Sequence, residues 1–489
     1  MPNNYSSPGV YIEEVSVFPP SVAQVETAIP AFIGYTSFRL DELGNTLAAN
    51  TPVKIKSLTE YHRFFGRGPR LSVNEIRLNA DNQFAGADIT ASPFYMYDAL
   101  QLFYANGGGD CYIVSVGAGG YPGSPDSGAL DSGLTAIAGY DEPTILLFPD
   151  AVSLTDTQLG NLQSAALQQC GALKDRVGLF DLRAQDADGT DFRSNVGINN
   201  LKYGAAYTPW LRSALPKNVT YGELTGSNLI VTPASSSGVS LSSLLPTGVQ
   251  NDIVAPYDTE LAAADPDPDT LADYEQQLID ASGLYKGIIS GLNALSRDIP
   301  PSGAIAGVYA TVDRTRGVWK APANISLNNV IAPTRQFSAS ELDALNIDTT
   351  AGKSINAIRF FSGKGVLVWG ARTLAGNDNE WRYISVRRFY NMAEESVKKA
   401  TEAFVFEPNA ASTWVKVRAM IENFLTLQWR AGALAGAKAE HAFFVRVGLG
   451  ETMTAQDINE GRMIVDIGMA VVRPAEFIIL RFSHKMQGS

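Results

Sequence analysis

The sequence predicts a multidomain protein of mixed α/β and α+β class, and three observations support this prediction. The chain has 489 residues, of which 45% are hydrophobic, and this length exceeds the usual size of a single domain. In the first half, apolar strand-like segments alternate with helical ones, which is typical of an α/β domain with a largely parallel sheet. In the last quarter, two long helical patterns precede three short apolar segments, which favours a separate α+β domain.

The helices and strands of the α/β part are predicted from runs of apolar residues and from the glycine, proline and polar residues that bound them. Short runs rich in β-branched and aromatic residues predict strands at "TAIPAFIGYT", "PVKI", "CYIVSV", "TILLFPD", "RVGLFDL" and "AAYTPWL". Helical patterns predict a helix that ends at Gly66, and further helices over Tyr95–Tyr104, Thr155–Ala172 and Leu271–Leu295. The Ser-rich segment 217–250 is predicted as an irregular insertion, and the Pro- and Gly-rich segment from Pro300 to Asn324 as a domain boundary.

The C-terminal part has the most regular pattern. A helix is predicted over Val386–Phe404, because apolar residues recur at steps of four and three along one face. Its other face carries Arg387, Arg388, Glu394, Glu395, Lys398 and Lys399, with Glu394–Lys398 and Glu395–Lys399 spaced as i,i+4 pairs. A second helix is predicted over Ser412–Arg430, and strands are predicted at "AFFVRVGL", "MIVDIGMAVV" and "AEFIILRF".

The two ends of the chain carry short apolar strands. Near the N-terminus, "SPGVYIEEV" contains the strand formers Val10, Tyr11 and Ile12, and Pro19-Pro20 follows as a stiff, extended spacer. A lone strand is unstable and needs a sheet to join. At the other end, apolar residues occupy both faces of the predicted strand, which predicts burial on both faces: Phe477, Ile478, Ile479 and Leu480.

Composition narrows the class of protein. The net charge of −12 argues against a general nucleic-acid binder. The stretch 121–300 carries 22 acidic and 9 basic residues, whereas 381–489 carries 11 acidic and 14 basic residues, so the middle is acidic and the C-terminal part slightly basic. Cys111 and Cys170 form no CxxC pair and are expected to be buried free thiols of a chain that folds in a reducing cytoplasm. We expect neither a signal peptide nor direct membrane insertion.

Motifs for catalysis or cofactor binding are incomplete. The three histidines are scattered, and no G-x-S-x-G occurs. "AGKS", at 351–354, lacks the first glycine of a phosphate-binding loop. "DPDPD" and "DADGTD" resemble the start of calcium loops but lack the completing ligands. We therefore expect no catalytic, cofactor-binding or metal-ligating residues and no enzymatic activity.

Several long strings resemble contractile tail sheath proteins. They are "SPGVYIEEV" with "SVAQVETAIPAFIGYT", "PPSGAIAGVYATVDRTRGVWKAPAN", "INAIRFFSGKGVLVWGARTL", "WRYISVRRFYNMAEESVKKA", "FEPNAASTWVKVRAMIENFLTLQWRAGAL" and "AEFIILRFSHKM". Together they cover about half of the chain, including both ends. The region 117–295 carries little of the resemblance.

The resemblance implies a domain order. An N-terminal arm donated to a neighbouring subunit would span 1–20, and the first part of a middle domain 21–110. An outer acidic α/β domain would span 111–300, with a boundary and linker over 301–350. The tube-proximal α+β domain would span 351–473, completed by terminal arm strands, and a C-terminal arm strand would span 474–489.

The resemblance also implies a function and partners. The chain would polymerise helically, as stacked six-fold rings, around a rigid inner tube, and it would contract to drive that tube through a target envelope. Baseplate proteins, terminator or cap proteins and paralogous sheath subunits are further expected partners. Assembly would occur in the bacterial cytoplasm, as part of a phage tail or a phage tail-like particle that can be released.

Alternatives remain open at three points. The N-terminal strand joins a neighbour's sheet or pairs within its own chain, and we favour the neighbour. Arg387, Arg388, Lys398 and Lys399 face the tube or form a solvated helix face. The particle is an extracellular injection system or tailocin, or else a contractile-tailed phage, and a more remote alternative is an α/β enzyme with an unrecognised site.

Overall fold

The computed structural model describes residues 21–481, apart from 214, 218, 225–229, 233–238 and 264–266. The chain divides into two compact units. The larger unit comprises Glu26–Arg388 and the segment that begins at Glu476, and the smaller unit comprises Phe389–Ala475 and the segment that ends at Val25. We expected a boundary near residue 351. The division lies at residue 388 instead, because the strands that follow residue 351 belong to the main sheet of the larger unit.

The strands are as follows: β1 (Pro30–Gly34), β2 (Pro52–Ile55), β3 (Ser72–Leu78), β4 (Phe84–Thr90), β5 (Cys111–Ser115), β6 (Ile145–Leu147), β7 (Val177–Asp181), β8 (Gly204–Thr208), β9 (Leu211–Ser213), β10 (Ile230–Thr232), β11 (Arg297–Ile299), β12 (Ile325–Ser326), β13 (Val330–Pro333), β14 (Asn356–Phe361), β15 (Gly365–Val368), β16 (Phe443–Arg446) and β17 (Asp466–Met469).

The α-helices are as follows: α1 (Leu58–Phe65), α2 (Met96–Ala105), α3 (Ser127–Ile137), α4 (Asp156–Leu173), α5 (Thr190–Asn195), α6 (Thr247–Val249), α7 (Ala255–Leu261), α8 (Pro268–Ala281), α9 (Gly283–Ala294), α10 (Ser302–Arg316), α11 (Ala339–Asn346), α12 (Ile384–Thr401), α13 (Ala411–Arg430), α14 (Ala439–Ala442) and α15 (Ala455–Asn459). No helix in the described ranges is both long enough and apolar enough to cross a membrane.

A nine-stranded sheet forms the centre of the larger unit, in the order β12-β15-β14-β8-β7-β6-β1-β5-β2. Its central pairs, from β14 across to β5, are parallel, whereas β2, β15 and β12 add antiparallel strands at the two sides. β1, β5, β6, β7 and β8 are buried along their whole length. This arrangement confirms the predicted α/β class, because strands covered on both faces are apolar throughout.

Helices α2 and α10 pack closely against each other beside this sheet. Gly303 of α10 lies so near the backbone of α2 that a Cβ atom there would overlap the Ala99 carbonyl oxygen. Asp181, at the end of β7, accepts hydrogen bonds from the backbone N–H of Ser302 at 2.8 Å and from its hydroxyl at 2.5 Å. The prediction of a linker over 301–350 is therefore wrong for the residues of α10, which is a helix of the core. Its glycines allow the backbone of α10 to approach that of α2 closely.

Another part of the larger unit contains a second sheet, β10-β3-β4, and a helical cluster. The helix predicted over Leu271–Leu295 is two helices, because Ser282 ends α8 and its side chain caps α9 through the N–H of Tyr285. The described part of segment 217–250 is not entirely surface loop. Leu241 and Leu245 are buried in the core of this part.

The smaller unit is built around α13, β16, β17 and the residues of α12 that follow Arg388. The predicted second helix over Ser412–Arg430 is confirmed by α13, and two of the three predicted strands are confirmed by β16 and β17. In the chain as described, no strand forms over residues 474–481. The third predicted strand therefore has no ladder partner among the described residues.

Candidate assembly interface

A two-stranded antiparallel sheet in the smaller unit leaves open strand edges. β16 pairs with β17 from Phe443 opposite Met469 to Arg446 opposite Asp466. Across the described ranges, no further strand joins this sheet. An unpaired edge presents a row of N–H and C=O groups that another strand can bind.

An apolar groove of about 950 Å³ lies under this sheet. Met463, Val465, Ile467 and Met469 line one wall. Ile467 and Met469 share one face of β17, because side chains alternate along a strand, and Met463 and Val465 lie in the segment that leads into it. The opposite wall consists of apolar side chains of α12 and α13, among them Tyr390, Ala393, Val397, Ile421 and Leu425. The apolar stripe predicted on α12 is thus confirmed, but part of it faces a groove that the described chain does not fill.

The connection between α12 and α13 presents apolar side chains to solvent at this groove. Phe406 is fully exposed and Val405 is 61% exposed, and both line the groove. Phe406 has a φ of +71°, in the left-handed region that bulky residues rarely adopt. We did not anticipate this feature, although "FVFE" places two apolar residues just after a helix end.

The C-terminal segment begins with an anchored carboxylate and continues as an exposed apolar run. Glu476 accepts hydrogen bonds from Arg372 within the larger unit, with Nε–Oε1 and Nη2–Oε2 distances of 2.9 and 2.6 Å. The four predicted arm residues that follow are exposed: Phe477 by 67%, Ile478 by 80%, Ile479 by 78% and Leu480 by 72%. The predicted burial of these side chains does not occur within the described single chain. Val10, Tyr11 and Ile12 of the other predicted arm lie outside the described residues.

Two of the four predicted tube-facing residues are buried in the larger unit. Arg388 pairs with Asp313, with side chains 3% and 7% exposed, and its guanidinium lies over the ring of Tyr309. Arg387 is 2% exposed and lies over the rings of Tyr203 and Trp381. A solvated or tube-facing position for both arginines is therefore wrong. Their partners are distant in sequence, so helical periodicity does not indicate them.

The two predicted lysines are on the surface of the smaller unit. The side chains of Lys398 and Lys399 are 63% and 39% exposed. Both contact Glu395, at 3.2 and 3.4 Å, so the predicted i,i+4 pair between Glu395 and Lys399 is confirmed. A contact of these lysines with a tube remains a prediction.

The incomplete chemical motifs have structural roles. Lys353 of "AGKS" is buried and its ammonium donates to the carbonyl oxygens of Arg193 and Val196, both at 2.6 Å. The Asp186 carboxylate of "DADGTD" accepts hydrogen bonds from the backbone N–H groups of Asp191 and Phe192.

The two cysteines are buried, and burial raises the pKa of both thiols to about 12. Among described side chains, no group of three His, Cys, Asp or Glu is arranged to hold a metal ion.

Comparison with known proteins places the chain in a family. Residues 376–485 match the family model of the phage tail sheath C-terminal domain. The chain is 27% identical to the tail sheath protein of Vibrio phage KVP40 over 144 residues, which are 29% of this chain and only 21% of that relative.

Two solved structures match over almost the whole chain. One is the helical sheath of the anti-feeding prophage (AFP) in its contracted state, with 30% identity, a TM-score of 0.62, and coverage of 98% of this chain and 100% of the other. The other is the PVC sheath complex of an extracellular contractile injection system in its contracted state, with 28% identity, a TM-score of 0.59 and 98% coverage of both chains. This chain therefore belongs to the contractile tail sheath family.

Proposed function

We propose that the chain is the structural subunit of a contractile sheath, which polymerises helically around a rigid tube and contracts to drive the tube through a target envelope. The observation that carries this proposal is that the described chain has both a segment able to form a strand and a sheet edge to which such a strand could be added. The segment Phe477–Leu480 is an exposed apolar strand former. Among the described residues, nothing pairs with the outer edges of the β16–β17 sheet or fills the apolar groove beneath it.

A strand added beside β17 would continue the sheet over this groove. Because side chains alternate along a strand, one pair of the arm residues would then point toward the groove and the other pair away. Phe477 and Ile479 form one pair, and Ile478 and Leu480 the other. Each ladder hydrogen bond contributes about 1 kcal/mol net. One arm therefore contributes little free energy to assembly, but the many arms of a lattice contribute together.

Donation of the arm from one copy to the next is a head-to-tail contact. Such a contact generates a ring when the rotation closes and a helical filament when it does not. The N-terminal arm, through Val10, Tyr11 and Ile12, would occupy a second open edge of a neighbour's sheet. Subunits would move as rigid bodies during contraction, with the arms as tethers, and no hydrolysis by this chain would be required.

The remaining expectations complete the proposal. The inner tube, baseplate proteins and terminator or cap proteins are its partners, together with any paralogous sheath subunits. The chain acts without a cofactor and is not an enzyme, and it assembles in the bacterial cytoplasm. An injection system is favoured over a phage tail, since the structural matches above cover 98% of the chain whereas the curated phage relative matches 29% of it.

Paired substitutions on the two faces of the arm test this proposal. We expect F477D/I479D and I478D/L480D each to leave a folded subunit, because these side chains are exposed. At least one of the two variants should lose sheath polymerisation in negative-stain electron microscopy, and the sensitive pair identifies the groove-facing side. Ile198→Asp is the matched control, since Ile198 is 79% exposed in the larger unit.

Removal of residues 1–18 tests the other arm. Circular dichroism should show an unchanged fold, and microscopy should show no extended sheaths. If both arm variants and the truncated chain still build full-length sheaths, strand donation is not the basis of assembly.

A further inference from the structure

A second large cavity, of about 1000 Å³, lies within the larger unit. Its walls come from the start of α2, the described residues of 215–223, helices α7 and α8, and strand β11. Apolar and aromatic side chains line much of it, among them Tyr95, Trp210, Leu215, Leu261 and Leu271. Its volume is at the upper end of the range for sites that enclose small organic ligands. The proposed sheath function makes no use of this cavity.

The carboxylates that line the cavity already have partners. Asp98 pairs with Arg297 at 2.5 Å, and Asp298 pairs with Arg212 at 3.0 Å. Glu275 accepts hydrogen bonds from the hydroxyls of Tyr257 and Tyr285 and from the backbone N–H of Tyr221. Glu223 caps the turn that begins at Thr220. Asp98 has an ion-pair partner in Arg297, but its Oδ2 atom makes no hydrogen bond among the described residues. The other three carboxylates accept hydrogen bonds.

The cations that line the cavity differ in whether they have hydrogen-bond partners. The guanidinium of Arg297 is bound by Asp98 and by the carbonyl oxygens of Ser92 and Phe94. The Lys217 ammonium, in contrast, is buried and has no hydrogen-bond partner among the described residues. At the rim, Arg67 and Arg70 are exposed cations. The lining as a whole carries four cations and four carboxylates. The Lys217 ammonium stands out because it is the lining cation that is buried and lacks a hydrogen-bond partner among the described residues.

An unpaired buried ammonium is costly, because it loses its hydration without gaining a partner. Burial accordingly lowers the pKa of Lys217, and the nearby Asp98 only partly opposes this shift. A carboxylate placed at Nζ would restore the charged state and supply the missing hydrogen bond. The aromatic and aliphatic walls would cover the remainder of such a molecule.

We propose that this cavity is a binding site for an amphipathic organic acid, with one carboxylate on Lys217 and an apolar body against Tyr95, Trp210 and Leu215. Two sources share this chemistry. One is a free small acid, and the other is an acidic side chain on an apolar segment of a second copy. The site is independent of the arm contacts, so its failure would leave the proposed sheath function untouched.

Titration of the purified full-length protein with 2-naphthoate tests the site. We expect saturable binding with one molecule per chain, and at least tenfold weaker binding of the neutral 2-naphthamide. Lys217→Met should weaken 2-naphthoate binding at least tenfold. It should also preserve or raise the melting temperature of the free protein, because it removes a buried unpaired charge. Lys286→Met, on the exposed surface of α9, is the matched control and should bind 2-naphthoate as the unsubstituted protein does.

Three results would overturn the proposal: no saturable binding of 2-naphthoate, equal affinity for the acid and the amide, or equal affinity in Lys217→Met and the unsubstituted chain. A repeat of the titration on assembled sheaths separates the two sources. Retained binding identifies a free acid as the occupant. Loss of binding on assembly, with the site intact in unassembled chains, identifies an acidic side chain of a second copy.

Discussion

Arg372 and Glu476 form a bidentate ion pair at the root of the C-terminal arm. The Arg372 side chain is 3% exposed, and its third nitrogen donates to the carbonyl oxygen of Asn346 at 2.9 Å. The hydroxyl of Tyr383 adds a bond to Glu476 at 3.1 Å. The apolar residues that follow Glu476 are exposed, while Glu476 itself is held in place, which is compatible with the proposed donation of this segment to a neighbour.

The first prediction concerns this anchor. Glu476→Ala should destabilise the chain by about 3 kcal/mol, because it leaves the Arg372 guanidinium buried without its carboxylate. Urea unfolding measures the change, and Glu380→Ala, at an exposed position of the same unit, should have little effect.

The same ion pair predicts a pH dependence. The hydrogen bonds and charge of Arg372 lower the pKa of Glu476, and they outweigh the opposing effect of burial. The anchor's stabilisation should therefore be present at neutral pH and disappear as the pH falls below about 4. An unchanged unfolding midpoint in Glu476→Ala would refute this role.

The second prediction concerns Asp181 beneath α10. Burial raises the pKa of this carboxyl to about 7, although Ser302 opposes the shift. The folded state therefore holds a proton that the unfolded state loses near pH 4, so this group makes stability fall as the pH rises from about 4 to 7. The effect is on the order of 4 kcal/mol at most. Asp181→Asn should lack this slope. We therefore expect the free energy of unfolding of the unsubstituted chain, relative to that of the variant, to be larger at pH 5 than at pH 8. If this difference is the same at both pH values, Asp181 does not have the raised pKa.

The third prediction concerns the packing of α10 on α2. Gly303→Ala should destabilise the chain by about 2 kcal/mol or more, since its methyl group would overlap the Ala99 carbonyl. Gly287→Ala is the matched change in α9, where nothing lies within 4 Å of the added methyl group. That variant should gain about 0.5–1 kcal/mol, because alanine is the better helix former. Thermal unfolding of the two variants should therefore shift in opposite directions.

The fourth prediction concerns the tube. Lys398→Gln/Lys399→Gln should leave a folded chain, because it adds no like charge beside Glu395, whose side chain is 7% exposed. It should nevertheless reduce co-assembly with tubes in a sedimentation assay. Lys438→Gln, at a lysine whose side chain is 72% exposed, serves as the control. Normal co-assembly of the double variant would indicate a solvated helix face. Reversal of Arg388 is not a clean test, because it would break the buried pair with Asp313.

Elements with strong local signals were predictable from the sequence. The apolar run of β1 indicates a buried strand in any context. Helix α4 carries its own start signal, since Thr155 and Gln158 form a capping box. The Glu395–Lys399 pair follows from helical spacing alone. In each case the residues that interact are close in sequence, so the physical cause is visible in a short window.

Tertiary structure decided the features that depend on distant partners. Arg387 and Arg388 are buried because Tyr203, Asp313 and Trp381 surround them. Pro300–Asn324 contains a core helix because the glycines of α10 match the backbone of α2. Within the described part of the chain, the groove beneath β17 is present because α12, α13 and the two-stranded sheet enclose more space than their own side chains fill. Helical and strand periodicity indicates which face of an element is apolar, but only packing determines whether that face is covered within the chain or left for another molecule.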